Sequence, residues 1–257
     1  MGRYLTDLAD VVRAAGLAVV EEPGWQTRAR SSGGYGDGRP THIMCHHTAS
    51  GPGSDGQADV DYMCYGSDIR PVANLYLARN GQVWIMAAGA TNTNGSGVDP
   101  CALTADDDMN VHAVGIEAAN GGTGEPWPDI QQDAYVTLVA ALCAAYTIDT
   151  GRVHAHFEWA PSRKIDPAGE SRYADGAASW NMDIFRGDIA TPPSEENPMV
   201  FRTSSTADAI YAQGDDMNVR HVTAQEGAIA EALTPGWADS APTIDVADDV
   251  ADWLSSL

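Results

Sequence analysis

The sequence predicts an α/β fold, a mixed central β-sheet flanked by helices, followed by a small α+β C-terminal appendage. Three observations carry this expectation. Short strand-type runs alternate with helical periodicity as far as about Ala190, the pattern of a layered α/β domain. The run from Pro128 to Tyr146 has the clearest helical face in the chain. Beyond Arg186 the composition turns proline- and acid-rich through Thr191 to Pro198, in the manner of a linker.

In order along the chain, Leu8, Val11, Val12 and Ala15 recur at helical spacing, with Thr6 able to cap the start and Gly16 suited to a left-handed stop. Leu17 to Val20 then reads as a strand, and Gly24 to Pro40 as a loop carrying Trp25. Thr41 to His47 is a strand with a histidine pair at its end, and Ser50 to Gly56 is rich in turn residues. Val72 to Leu77 and Gln82 to Met86 form a hairpin, because Asn80-Gly81 tolerates the positive φ angles of a tight turn. His112 to Ala118 is a further strand. Pro128-Asp129 opens the long helix, Gln132 completes an Asp-based variant of the capping box, and Tyr135, Leu138, Val139, Leu142 and Tyr146 share one face as core material. The expected organisation is a domain over 1–190, a linker over 191–198 and a small domain over 199–257. In that last region Ala209 to Ala212 and Val219 to Val222 read as a hairpin, and Ala224 to Leu233 as a helix. Its role is open between wall binding, self-association and simple packing.

The formal charge of −22 over 257 residues argues against nucleic acid or an anionic membrane as a partner, since phosphate binding needs clustered Lys and Arg. No stretch approaches the roughly 20 apolar residues of a membrane span, so no membrane insertion is expected. Asp7 and Asp10 interrupt the N-terminus before an apolar run develops, so no secretory signal is visible. Cys45, Cys64, Cys101 and Cys143 lack C-x-x-C spacing and read as small buried apolar residues, with a Cys64 to Cys101 bridge left open.

The chemistry concentrates in His156-Phe-Glu158-Trp-Ala160-Pro161-Ser-Arg163-Lys164-Ile-Asp166-Pro167, which contains the only lysine of the chain. A catalytic zinc takes three protein ligands and leaves a fourth position open. Strand alternation sends adjacent His46 and His47 to opposite faces, so only one of them reaches a given ion. His42 shares a face with His46 but lies about 13 Å away, four strand rises along. His46, His154 and His156 can form one site, and Asp166 competes with His154 for the third place. Lys164 and Asp166, two apart, share a face if the chain is extended after Pro161.

Cys45-His46-His47-Thr48-Ala49, Leu75 to Gly81 with Val83-Trp84, Val114-Gly115-Ile116-Glu117 and the His156 to Pro167 run, in that order, resemble the type-2 zinc N-acetylmuramoyl-L-alanine amidases. These share a fold with peptidoglycan recognition proteins. The N-terminal helix with Glu22-Pro-Gly-Trp25 resembles actinobacteriophage endolysins. The resemblance implies Zn2+ as cofactor, with His46, His156 and Asp166 as its ligands and His154 set aside. It implies Glu117 as general base, with no tyrosine substitute because Ala73 stands where other branches have one. Lys164 would polarise the scissile carbonyl, worth about 3 kcal/mol by analogy with one oxyanion-hole donor. The implied substrate is bacterial peptidoglycan, cut between N-acetylmuramic acid and L-alanine. The implied setting is the host cytoplasm until a holin releases the enzyme to the wall. His47, Asn92, Asn94 and Trp25 are the expected substrate contacts, and Asn92 and Asn94 lie in a loop where the family often has a histidine. Two other readings stand beside this one, a peptidoglycan-binding module without catalysis and a peptidase cutting within the stem peptide.

Overall fold

A computed structural model of the chain describes residues 2–36, 39–54 and 56–191, together with the backbone of four strands between 199 and 246. Two compact units divide at Pro192 and Pro193.

The first unit is built on a six-stranded sheet. Its strands are β1 (Val19–Glu21), β2 (His42–His47), β3 (Leu75–Leu77), β4 (Val83–Ile85), β5 (Ala113–Ala118) and β6 (Val153–Ala155), in the spatial order β1-β4-β3-β5-β2-β6. Only the β3–β4 hairpin is antiparallel; the other neighbours run parallel. The sheet is therefore mixed, as expected.

Side-chain alternation divides the chemistry from the core. Ile43 and Cys45, Leu75 and Leu77, Val114, Ile116 and Ala118, and Val153 and Ala155 all join one buried apolar cluster. Packed into the same cluster are α1 (Leu8–Ala14), the long α3 (Asp129–Tyr146) and α5 (Met182–Ala190). The opposite sheet face carries His42, Met44 and His46 from β2, Tyr76 from β3, Gly115 and Glu117 from β5, and His154 from β6. That face is where function must lie, because the helices leave the polar residues no room on the other.

Several local expectations need correction. Helix α1 has Asp7, not Thr6, at its N-cap and no side-chain cap, whereas Gly16 does take the left-handed conformation at φ 77°. Strand β1 lies at Val19–Glu21 because it pairs residue for residue with Val83–Ile85. The capping box at α3 does not form: Pro128 is the N-cap, and Gln132 Nε2 donates to the Trp127 carbonyl at 2.8 Å. Helix α5 was not visible in the periodicity, although Asn181 caps it by accepting from the amides of Asp183 and Ile184. Short helices α2 (Gln57–Asp61), which runs on into a π-turn over Tyr62–Gly66, and α4 (His156–Trp159) were missed as well. All four cysteines are free, which removes the Cys64 to Cys101 bridge.

Gly115 is a site of close approach. A methyl there would collide with the Thr93 side chain in the floor of the functional face. Gly115→Ala is expected to destabilise by about 1–3 kcal/mol, the usual cost of overpacking. A fall in Tm of several degrees by calorimetry would show it, and an unchanged Tm would mean that Thr93 can move away.

The second unit has a four-stranded sheet in the order β10-β7-β8-β9, made of Met199–Thr203 (β7), Ala209–Gln213 (β8), Asn218–Val222 (β9) and Thr243–Val246 (β10). The expected hairpin is present as antiparallel β8 and β9, with Ala212 opposite Val219. The helix expected over Ala224 to Leu233 and the linker from Pro192 to Pro198 lie outside the described residues.

Candidate active site

The C-terminal end of β2 delivers His46, and the parallel strand β6 passes directly into α4, whose first residue is His156. The chain then turns after Trp159 and returns with Asp166. His46 Nδ1 lies 2.9 Å from His156 Nδ1, and each is 3.0 Å from Asp166 Oδ2. All three residues are buried.

The donor chemistry decides what fits between them. His156 Nε2 lies 2.9 Å from the Asn94 carbonyl oxygen, which can only accept, so the imidazole proton belongs on Nε2. Nδ1 then presents a bare lone pair to the Asp166 carboxylate. Burial first, and His156 next to it, push His46 down to about 4, so His46 is neutral at pH 7. Burial opposes ionisation of Asp166, yet the two histidines hold its carboxyl well below the usual range. Two imidazoles and a carboxylate converging at these distances suit a cation. The separations approach the roughly 3.3 Å between ligands of a tetrahedral ion with bonds of about 2.0 Å.

Glu117 stands beside His46 in the β5–β2 ladder, and Tyr76 stands beside Glu117 in the β3–β5 ladder. One carboxylate oxygen, Oε2, is buried without a hydrogen-bond partner. Burial, and then the Asp166 charge, raise the Glu117 carboxyl well above its ordinary range, while Lys164 acts in the opposite direction. Glu117 also lines a cavity of about 390 Å³ with Thr48, Ser54, Asp59, Tyr62 and Met63. Lys164 follows α4, its amide bonded to the Ala160 carbonyl at 3.0 Å, and its ammonium is close enough to disfavour protonation of His46.

The remaining expected contacts are placed as follows. His47 accepts from the Ala168 amide at 3.1 Å and so braces the segment just after Asp166. Asn92 is bound to the Ile69 carbonyl through its Nδ2. Asn94 is buried and meets His156 through its backbone. Trp25 lies in the main core with its indole N–H on Glu21 at 2.7 Å. His154 does not join the His46 group; its Nε2 faces Asp99 and Cys101.

The profile of the N-acetylmuramoyl-L-alanine amidases matches residues 36–169, more than half of the chain. The chain belongs to this family. Among solved structures, the amidase is similar to a selenomethionine derivative of AmpD, at TM-score 0.47 and 19% identity over 66% of this chain and 93% of that one. It is also similar to an endolysin amidase from Clostridium intestinale, at TM-score 0.44 and 17% identity over 67% and 95% of the two chains. The E. coli amidase AmiD, in a complex with a muramyl peptide, gives TM-score 0.42 and 22% identity over 58% and 60%. No match is found among curated proteins.

Two supports of this amidase site escape a reading by residue type. Tyr135, assigned above to the core, accepts from the His46 amide at 3.1 Å and donates to the His46 carbonyl at 3.2 Å. Arg186 from α5 forks onto Glu158 at 2.6 and 2.7 Å, and Glu158 accepts from the Ala155 amide, which fixes the start of α4 where His156 sits. Tyr135→Phe leaves that buried amide without its acceptor, at an expected cost of about 1–3 kcal/mol. Loss of Tm together with weaker metal retention in equilibrium dialysis is the expected result; unchanged retention would make Tyr135 a packing residue only.

Proposed function

We propose that this amidase hydrolyses the bond between N-acetylmuramic acid and L-alanine in peptidoglycan, with one Zn2+ held by His46, His156 and Asp166. The observation that carries the reading is the convergence of Nδ1, Nδ1 and Oδ2 within 3.0 Å of one another, one ladder position from an unpartnered Glu117 oxygen. When bound, zinc supplies Lewis acidity toward the attacking water and the scissile carbonyl. Asn94 orients His156 through its carbonyl, and Tyr135 fixes the backbone of His46. Glu117 takes a proton from the attacking water onto its carboxylate. Burial favours the neutral carboxyl that results, so the proton is held until the leaving nitrogen accepts it. Lys164 stabilises the negative charge that develops on the carbonyl oxygen. The cavity beside Glu117, reaching Thr48, Asp59 and Tyr62, would receive the substrate.

The biological role in this proposal is that of an endolysin acting on the wall after release from the host cytoplasm. The resemblance of the Glu22 to Trp25 region to actinobacteriophage endolysins supports it.

Mass analysis of purified peptidoglycan digested by the full-length protein tests the chemistry. New N-terminal L-alanine and peptide-free glycan are expected, with loss of both after chelation and recovery on adding Zn2+. Cleavage inside the stem peptide, binding without release, or full activity after exhaustive chelation would overturn the proposal.

A further inference from the structure

The face that carries the active site holds a second convergence of ligand atoms, one step back along the same strands. His42 at the start of β2, His154 in β6 and Asp99 in the loop before β5 are all buried, and one ligand atom from each lies within 4.8 Å of the others. His42 Nε2 is 3.5 Å from Asp99 Oδ2, and His154 Nε2 is 3.9 Å from Asp99 Oδ1. The two imidazole rings stack with centroids 5.7 Å apart. Cys101 Sγ approaches His154 Nε2 to 3.5 Å.

Hydrogen bonding within the group leaves a cation's place. Asp99 Oδ2 already accepts from the amides of Leu103 at 2.8 Å and Thr104 at 2.9 Å, and Oδ1 accepts from the Cys101 amide at 2.9 Å. A carboxylate offers about four acceptor directions, so Oδ2 has none left for an imidazole N–H and the free one is on Oδ1. His42 Nδ1 is engaged with Thr41 Oγ1 at 2.8 Å. His42 Nε2, wholly buried, has no hydrogen-bond partner and is aimed at the saturated oxygen. An unpartnered imidazole nitrogen inside a protein costs free energy unless something binds it. Three backbone amides also fix the carboxylate in place, as outer contacts do around metal ligands.

We infer that His42, His154 and Asp99 bind a second transition-metal cation of the zinc class, with Cys101 as the fourth donor. Two neutral imidazoles, one carboxylate and one thiolate would balance a divalent charge, and a closed set of four protein donors is the mark of a structural ion. This ion is separate from that of the active site. His42 and His46 stand about 13 Å apart along β2, and Met44, between them on the same face, packs in an apolar cluster with Met109 and Trp159. The ion's task follows from its position. It pins the loop between Asn94 and Val111 to β2 and β6, and that loop supplies the carbonyl that orients His156.

Counting zinc tests the inference independently of the catalytic reading. Full-length protein is stripped by chelation, loaded with Zn2+, desalted and analysed by mass spectrometry of the metal. The double variant His46→Ala/Asp166→Asn, which leaves the second cluster untouched, should retain one ion per chain, and zinc should raise its Tm. Adding His42→Asn to it should remove both effects. No retained ion in the double variant would overturn the inference, and the His42–Asp99 pair would then be an ordinary buried polar contact. So would full retention after His42→Asn. Co2+ loaded into the double variant should give a thiolate-to-metal absorption band that Cys101→Ser abolishes. Absence of that band would remove Cys101 from the ligand set.

Discussion

Glu117→Gln should lower kcat by about 10²–10⁴-fold, the usual contribution of a positioned general base, while zinc content and fold stay unchanged. The side chain keeps its shape, so only proton transfer is lost. The wild-type pH profile carries the same information. Because burial raises the Glu117 carboxyl, the acidic limb of kcat/KM should lie above the ordinary carboxylate range, and activity should fall as pH drops through it. A cation on the neighbouring ligands opposes this shift, so the limb should move downward when the metal is bound more fully. A second consequence appears in the metal-free protein. A carboxyl whose folded pKa exceeds its unfolded value binds more protons when folded, so it costs stability increasingly as pH rises from the unfolded pKa of about 4.3 through the folded one. Glu117→Gln removes that cost. The metal-free variant should therefore have a higher Tm than metal-free wild type at neutral pH, and the difference should vanish near pH 4. A variant with full activity and bound zinc would dismiss Glu117 as the base.

Asp166→Ala should abolish both activity and active-site zinc. The carboxylate is the only anion among the three converging groups, and without it two neutral imidazoles remain. Loss of an outer contact to a metal ligand typically costs 10–100-fold, so removal of the ligand itself should exceed this. The expected result is no detectable release of N-terminal alanine at enzyme concentrations that exhaust the substrate with wild type. Excess Zn2+ should restore little. Asp166→Cys is the informative companion, since a thiolate can replace the carboxylate as donor, and it should recover a measurable fraction of activity. If Asp166→Ala retained zinc stoichiometrically and cut at wild-type rate, the third ligand would have to be sought elsewhere.

Much of the fold could be read from the sequence where periodicity is strong. The strand carrying His46, the Asn80-Gly81 hairpin, the strand carrying Glu117 and the helix of Tyr135 to Tyr146 all appear close to their expected bounds. Short elements were harder. Helix α5 buries only Met182, Phe185 and Ile189, too few repeats for a periodic signal. The capping box failed because Gln132 found a backbone carbonyl instead. Of the candidate site, the residues whose identity matters stood out, since few residue types bind cations or move protons. What stayed hidden acts through atoms that every residue possesses, such as the Asn94 carbonyl on His156, or through partners far along the chain, such as Asp99 beside His42 and His154. The rise along the strand did separate His42 from the His46 group on their shared face, but could not tell what His42 meets there.

His46 and Glu117 are paired directly across neighbouring strands, so the gap between the proposed ligand and the proposed base is dictated by the interstrand repeat of about 4.8 Å. Reaction geometry is thereby insulated from the surface segments around the mouth of the cavity. Those segments are free to diverge with the wall they meet, altering which polymer is admitted without detuning the step that breaks the bond.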